Sequence, residues 1–369
     1  MAKTIKIGMV GVGAISGIYL ENITNRFQEI ELVAVCDLIR ERAEKAQEKY
    51  NVPKLYDTMY ELFADPEIDI VLNLTRPYEH YGVSIEALKA GKHVYSEKPL
   101  AATLEEGKAL VEMAQEKGLM LGGAPDTFLG AGIQTCRKLI DDGYIGDPIG
   151  AAAFMICRGH ESWHPDPAFY YQHGGGPMMD MGPYYITALV NLLGGVSSVM
   201  GVTKASFPTR TITSRPHCGE TVQVEVPTYV AGILNFDSGA TGTIFTTFDV
   251  CYPSQARLEV YGTKGTLFVP DPNGFGGPVK LLRQEGGEPM EIPLCFDYPE
   301  NSRALGLADM AKALQTGREP RESWKQTYHV LEILQSFEKS SDAGAVVPIA
   351  SRYTRGEPMK NNPVHGILD

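Results

Sequence analysis

Hydrophobic positions in the first third of the chain fall in short runs separated by longer amphipathic stretches. Ile5 to Val10 is an apolar, β-type run that ends in glycines, and a helical pattern follows from about Ile15 to Arg26. Glu31 to Cys36 is a second run rich in β-branched residues, and Arg40 to Tyr50 reads as a charged helix. Thr58-x-x-Glu61 has the spacing of a capping box for a short helix. Ile70 to Leu74 is a further strand, and Glu79 to Ala90 a helix that Gly91 stops. His93 to Ser96 is another strand, Thr103-x-x-Glu106 caps a helix ended by Gly118, and Met120 to Gly122 closes the series. Strands alternating with helices are βαβ units, so residues 1–124 are expected to form a doubly wound parallel sheet.

From about Pro125 the pattern changes. Helices are expected near Ile133–Asp142 and Tyr184–Leu193, flanking strand-like segments. Thr228–Phe236 and Ala240–Val250 are neighbouring strands joined at Asp237-Ser238-Gly239, and Arg257–Tyr261 pairs with Thr266–Val269 across a turn at Gly262 and Gly265. Consecutive strands with tight turns imply an antiparallel sheet, so residues 125–369 read as an α+β domain. Late helices run from about Ser302 to Gln315 and from Trp324 to Ser340, and the polar tail from Arg352 is expected to be loose.

Length and composition narrow the function. A chain of 369 residues suits two domains, and 43% hydrophobic content is ample for two cores. The net charge of −12 opposes binding to a phosphate backbone or an anionic membrane, and a small-molecule partner fits better. Six separated cysteines form no C-x-x-C, which reads as reduced thiols in a cytoplasmic protein. No apolar run approaches the roughly 20 residues a bilayer requires, and no export signal stands before the first strand.

The chemistry-bearing turn is Gly11-Val12-Gly13-Ala14-Ile15-Ser16, between the first strand and the first helix. Glycines there let the backbone approach a pyrophosphate whose charge the helix N-terminus stabilises, which places Gly11, Gly13, Ala14 and Ile15 against a dinucleotide. Asp37 ends the second strand about twenty residues on, where a carboxylate accepts ribose hydroxyls and repels a 2′-phosphate. The expected cofactor is therefore NAD rather than NADP, although Asp37 as a helix N-cap is an alternative. His160-Glu161-Ser162-Trp163-His164 matches the zinc-protease string H-E-x-x-H, but Pro165 and Pro167 oppose the helix that chemistry needs. No metal site is expected; His160, Trp163 and His164 read as loop residues able to meet a polar ligand, with a surface aromatic cluster as the alternative.

Several of these motifs together resemble the Gfo/Idh/MocA family, the glucose–fructose oxidoreductase and inositol dehydrogenase relatives. They are Gly11-x-Gly13 with Asp37, Ala90-Gly91-Lys92-His93-Val94, Glu97-Lys98-Pro99, and Gly174-Gly175-Gly176-x-x-x-Asp180-x-Gly182-x-Tyr184. The resemblance spans nearly the whole chain. It implies a Rossmann domain followed by a domain with a large open sheet, dimers or tetramers assembled through that sheet, and NAD(P)-linked oxidation of sugars and polyols. It also implies a cis peptide before Pro99, Glu97 bonded to ribose or nicotinamide, Thr75 and Pro77 under the cofactor, and His80 near it, with a helix-start role for His80 as the alternative. Two positions depart from many members. Tyr184 stands where they carry His, as in the glucose–fructose oxidoreductase and dihydrodiol dehydrogenase branches, and Thr187 where they carry Asp.

A carbinol carbon releases hydride only as its hydroxyl loses a proton, so a proton acceptor is required beside the nicotinamide. Lys98 follows the strand His93–Ser96 at the edge where open α/β sheets place ligands. A lysine at about 10.4 is a poor base, and partial burial beside a nicotinamide cation lowers that value. Tyr184 is expected to share the proton or hold the oxygen, and Asp180 to orient the substrate or act on Lys98 through its charge. The alternatives are a Glu97–Lys98 ion pair, a merely packed Tyr184, and Asp180 as a helix cap. The expected activity is thus a dehydrogenase acting on a secondary hydroxyl; a retained-NAD lyase or glycosidase and a non-catalytic sensor of NAD or sugar are the alternatives.

Overall fold

The computed structural model describes residues 4–251, 255–361 and 368–369. The chain divides into two compact units. The first holds Met1–Gly130, Phe296–Tyr328 and Glu357–Asp369, and the second Ala131–Cys295 and His329–Gly356. The passage from one to the other falls a few residues after the expected break at 124/125. Two later segments return to the first unit, which no local pattern in the sequence marks.

In the first unit, β1 (Ile5–Val10), α1 (Ser16–Asn25), β2 (Ile30–Cys36), α2 (Arg40–Tyr50), β3 (Lys54–Tyr56) and α3 (Met59–Ala64) come first. β4 (Ile70–Asn73), α4 (His80–Lys89), β5 (His93–Ser96), α5 (Leu104–Lys117) and β6 (Leu121–Gly123) follow. The six strands form one parallel sheet in the order β3-β2-β1-β4-β5-β6, the doubly wound arrangement expected from the βαβ rhythm. Ile7, Met9, Ala34, Val35, Ile70, Leu72 and Val94 are buried on this sheet, as strands covered on both faces require. Both expected capping boxes are present, Thr58 with Glu61 and Thr103 with Glu106, and Gly118 ends α5 in the left-handed region. β3 was not anticipated. Three residues are too few to show a period, and Lys54 is held by Asp65 and Glu67 rather than by apolar packing.

The second unit begins with α6 (Ala131–Asp141), β7 (Pro148–Ile156), the single-turn α7 (Pro177–Asp180) and α8 (Gly182–Leu193). β8 (Val196–Lys204), β9 (Thr209–Thr211), β10 (Thr221–Gln223), β11 (Tyr229–Phe236) and β12 (Thr241–Thr247) come next, then β13 (Gln255–Gly262), β14 (Gly265–Val269), β15 (Val279–Arg283) and β16 (Met290–Ile292). After α9 (Leu305–Thr316), which belongs to the first unit, α10 (Trp324–Ala343) and β17 (Val347–Pro348) complete the regular structure of the described residues. Nine strands form an open sheet in the order β16-β15-β14-β13-β7-β12-β11-β8-β17, and β9 with β10 is a separate hairpin. The expected hairpins β11–β12 and β13–β14 are antiparallel, but β7 lies parallel to β12, a long-range pairing that no turn signal announces. The tail is not loose throughout. Tyr353 and Met359 are buried, and Arg355 donates to Asp141 and to the Leu192 carbonyl; residues 362–367 lie outside the described residues.

The returning α9 is fastened inside the first unit. Asp126, fully buried, accepts the Gly306 N–H at 3.1 Å near the start of that helix. Loss of water around the carboxyl, offset in part by that N–H and by Arg303, pushes its pKa up to about 6. The unfolded chain releases this proton at a lower pH than the folded one, so its stabilising contribution is full below about 4 and is lost as pH rises through about 6. Asp126→Asn keeps an acceptor for Gly306. Urea unfolding is expected to shift in favour of the variant by on the order of 3 kcal/mol between pH 4 and pH 7.5. A stability difference independent of pH contradicts this assignment.

Candidate active site

The cofactor-side residues share one edge because the strands that carry them end in register. Val10 is paired with Cys36 and with Asn73, and Asn73 with Ser96. The residues that follow these strand ends, Gly11, Asp37, Leu74-Thr75 and Glu97-Lys98, therefore leave the sheet side by side at its C-terminal edge. That is where parallel sheets accept ligands.

Gly11 has φ +96°, and a Cβ there would lie 2.8 Å from the Leu74 carbonyl carbon and oxygen, so only glycine lets β1 turn against β4. The turn is pinned by the Gly11 N–H on the Cys36 carbonyl at 2.9 Å and by the Val12 N–H on Asp37 Oδ2 at 2.6 Å. Asp37 Oδ1 accepts the Ile39 N–H at 2.7 Å. Its carboxylate is thus held beside the glycine turn. Ile39, not Asp37, precedes α2 at the cap position, and no side chain caps that helix. Gly13 and Ala14 are exposed, Ile15 is half-buried, and a Cβ at Gly13 would meet no atom within 4 Å. No side chain caps α1 either, and Ser16, in the place of a third glycine, is buried with its Oγ donating to the Gly13 carbonyl at 2.8 Å. Open space above uncapped N–H groups, flanked by a fixed carboxylate, fits a dinucleotide: pyrophosphate on the turn, ribose at Asp37.

The neighbouring loops are braced from behind. Buried Asn73 accepts the Thr75 hydroxyl at 2.6 Å and donates to the His80 carbonyl and Ser84 Oγ, both at 3.0 Å. Pro77 starts a 3-10 turn and is half-buried. His80 is the first residue of α4, but its ring is fully buried, with Nδ1 2.7 Å from the Pro99 carbonyl and Nε2 3.0 Å from the Thr75 carbonyl. Burial pushes the imidazole below its ordinary range. His80 supports the two loops rather than presenting a ring to a ligand. Buried Glu97 accepts the Tyr19 hydroxyl at 2.7 Å and the Lys98 N–H at 2.9 Å, which fixes the loop that carries Lys98. Lys98 is half-buried, and the Lys98–Pro99 peptide is cis as expected.

In the second unit, Asp180 ends α7 and Tyr184 lies in the first turns of α8. Gly176 makes the entry to α7 possible: it has φ +89°, and a Cβ there would lie 2.8 Å from the Pro227 carbonyl oxygen. Met181 occupies the cap position of α8 without a side-chain bond. Tyr184 is buried. The His160–His164 string forms a turn between β7 and α7, not a helix, with the Trp163 and His164 N–H groups on the His160 carbonyl. Trp163 is 62% exposed, and burial pushes His164 below its ordinary range. His160 Nε2 stands 3.3 Å from Asp180 Oδ2, so the structure brings these two candidates together. Sequence reasoning missed Tyr19, Asn73 and Arg210. Tyr19 and Asn73 lie in apolar stretches where a single polar group looks incidental, and Arg210 lies in a region with no periodic signal.

Two domain models match the chain. One, described as an oxidoreductase family with an NAD-binding Rossmann fold, covers residues 5–123, and the other, a GFO/IDH/MocA C-terminal domain, covers residues 133–268. A scyllo-inositol 2-dehydrogenase (NAD(+)) of Bacillus subtilis (strain 168) is 28% identical over 322 residues, 87% of this chain and 89% of that protein. The fold is shared with an NAD binding oxidoreductase from Klebsiella pneumoniae, with a TM-score of 0.82, 21% identity, and coverage of 94% of this chain and 100% of that one. It is also shared with levoglucosan dehydrogenase in complex with NADH and L-sorbose, with a TM-score of 0.81, 20% identity, and coverage of 94% and 99%.

The empty volume at Gly13 separates folding from binding. Gly13→Val is expected to unfold within about 0.5 kcal/mol of the wild type, as exposed substitutions do, yet to weaken NADH binding at least about tenfold by filling the pyrophosphate's place. Fluorescence titration with NADH measures this, and unchanged affinity refutes the placement.

Proposed function

The chain belongs to the GFO/IDH/MocA oxidoreductase family, and from that premise we propose that it transfers a hydride between NAD and a secondary hydroxyl of a sugar, sugar derivative or polyol. The observation that carries the reading is Lys98, half-buried on a braced loop directly after β5, at the same sheet edge as Gly11 and Asp37. Bound NAD supplies the hydride acceptor. The protein's own groups supply the rest.

Gly11, Gly13, Ala14 and Ile15 receive the pyrophosphate, and Asp37 accepts ribose hydroxyls, its charge opposing a 2′-phosphate and so favouring NAD. Thr75 and Pro77 line the loop beneath the cofactor, and Glu97 with Tyr19 keeps Lys98 in place. Lys98 takes the proton of the substrate hydroxyl as hydride departs. Tyr184 and Asp180 hold the substrate oxygen, Trp163 and His164 meet its remaining hydroxyls and ring face, and His160 serves the same place through its contact with Asp180. A name such as the Bacillus relative's, with its polyol and its NAD(+), supports this substrate class.

Two further parts of the reading concern the protein's setting. β8 and β11 carry exposed Met200, Val202 and Ile233 on one face of the open sheet, with Ile233 paired to Met200 and Ala231 to Val202. An apolar row of this kind supports self-association into a dimer or tetramer. All six cysteines are unpaired, which supports a reducing, cytoplasmic location; among the described residues no helix is long and apolar enough to cross a membrane.

Lys98→Met is expected to bind NADH as the wild type does and to lose about 10²- to 10⁴-fold in kcat/KM on any sugar or polyol that a panel screen identifies. Retained turnover sinks the role of Lys98, and a wild type that turns over sugar without building up NADH indicates a retained cofactor instead. Light scattering is expected to find a dimer or tetramer that Val202→Asp drives toward monomer. A monomeric wild type contradicts the sheet-face assembly.

A further inference from the structure

The turn Arg158–His164 after β7 is fastened far more firmly than an ordinary surface turn. Arg210 of β9 is buried and ion-paired with Glu161, and its Nη1 lies 3.0 Å from Asp249 Oδ1. Its Nη2 donates to the carbonyls of Arg158 at 2.6 Å and Phe248 at 2.9 Å. The Thr213 and Ser214 N–H groups donate to the Glu161 carbonyl at 2.9 and 2.8 Å, and Ser214 Oγ donates to the His164 carbonyl. Asp249 is itself held by the Thr228 hydroxyl at 2.7 Å. A buried charge network of this density adds little net stability over apolar packing, and its best-attested use is to specify one arrangement.

The arrangement it specifies is that of His160. The imidazole is wedged among three rings, with centroids 4.0 Å from Tyr170, 4.7 Å from Phe248 and 5.2 Å from Trp163. Its Nε2 lies 3.3 Å from Asp180 Oδ2, and the two side chains are only 12% and 16% exposed. An ionised carboxylate only accepts, so in this pair Nε2–H is the donor. Asp180 stands at the end of the single-turn α7.

We infer that His160, locked by the Arg210 clamp, is a positioning residue that orients the Asp180 carboxylate toward the sugar hydroxyls. The inference rests on the dehydrogenase reading above, in which Asp180 meets substrate. It gives this chain a histidine–carboxylate pair on the substrate side although Tyr184 and Thr187 occupy the positions where many relatives carry His and Asp. The histidine comes from a different element, the turn after β7, held by the β9–β10 hairpin.

Two replacements at position 160 separate orientation from packing. His160→Gln places an amide N–H near the site of Nε2, and His160→Phe keeps the ring but removes the donor. With the accepted sugar, His160→Phe is expected to raise KM at least about tenfold with NADH affinity and thermal midpoint unchanged, and His160→Gln to stay within about threefold of the wild type. Arg210→Lys keeps a cation but loses the fork that grips two carbonyls, and is expected to raise the same KM. Equal behaviour of the Gln and Phe variants, or an unchanged KM in Arg210→Lys, overturns the inference. If Lys98→Met retains turnover, the dehydrogenase reading falls whatever His160 does. If Lys98→Met is inactive and the Gln and Phe variants coincide, only the role of His160 falls.

Discussion

A contact too close for any side chain governs the first unit: Gly11 at φ +96°, its missing Cβ 2.8 Å from the Leu74 carbonyl. Because β1 can pass this tightly over the end of β4, the Val12 N–H reaches the Asp37 carboxylate and the start of α1 opens toward the sheet edge. Any Cβ would push β1 and β4 apart and shift the glycine turn and its bond to Asp37 with them. The register of Val10, Cys36, Asn73 and Ser96 then extends the same edge to Thr75 and Lys98. The edge proposed to bind the cofactor is set by backbone geometry first and side-chain chemistry second.

The side chains behind that edge serve to hold loops still. Asn73, His80, Glu97 and Tyr19 are buried and satisfied mostly by backbone groups or by one another, and none reaches into the open space over Gly13. In the second unit Arg210 and its carboxylates do the same for the turn that carries His160. Both units hold a loop in place through a layer of buried polar residues. Each such layer is costly to leave half-satisfied, and this is what gives it a single arrangement.

Much of this was legible from local pattern. The Arg40–Tyr50 helix, both capping boxes, the Gly118 stop and the β11–β12 hairpin depend on neighbours in sequence, so spacing and turn chemistry suffice to place them. The glycine turn and Asp37 were legible for the same reason. What escaped depends on distant partners: the β7–β12 parallel pair, the return of Phe296–Tyr328 to the first unit, and the grip of Arg210 on Glu161 and Asp249. His80 shows the boundary well. Its position near the cofactor loops could be anticipated, but only the burial of its ring between two carbonyls reveals that it braces them. The cap positions of α2 and α8 fall to Ile39 and Met181, one or two residues past the carboxylates that the sequence offered.

In the proposed reading, one sheet edge binds the dinucleotide and presents Lys98 to its reacting end. A crystal structure of the protein with NADH tests it directly. The expected result is pyrophosphate over Gly11–Gly13, a ribose bonded to Asp37, and Lys98 Nζ close enough to the nicotinamide C4 to reach, within about 3 Å, a hydroxyl oxygen placed there. A dinucleotide lying elsewhere, or a Lys98 ammonium directed away from the nicotinamide, contradicts it.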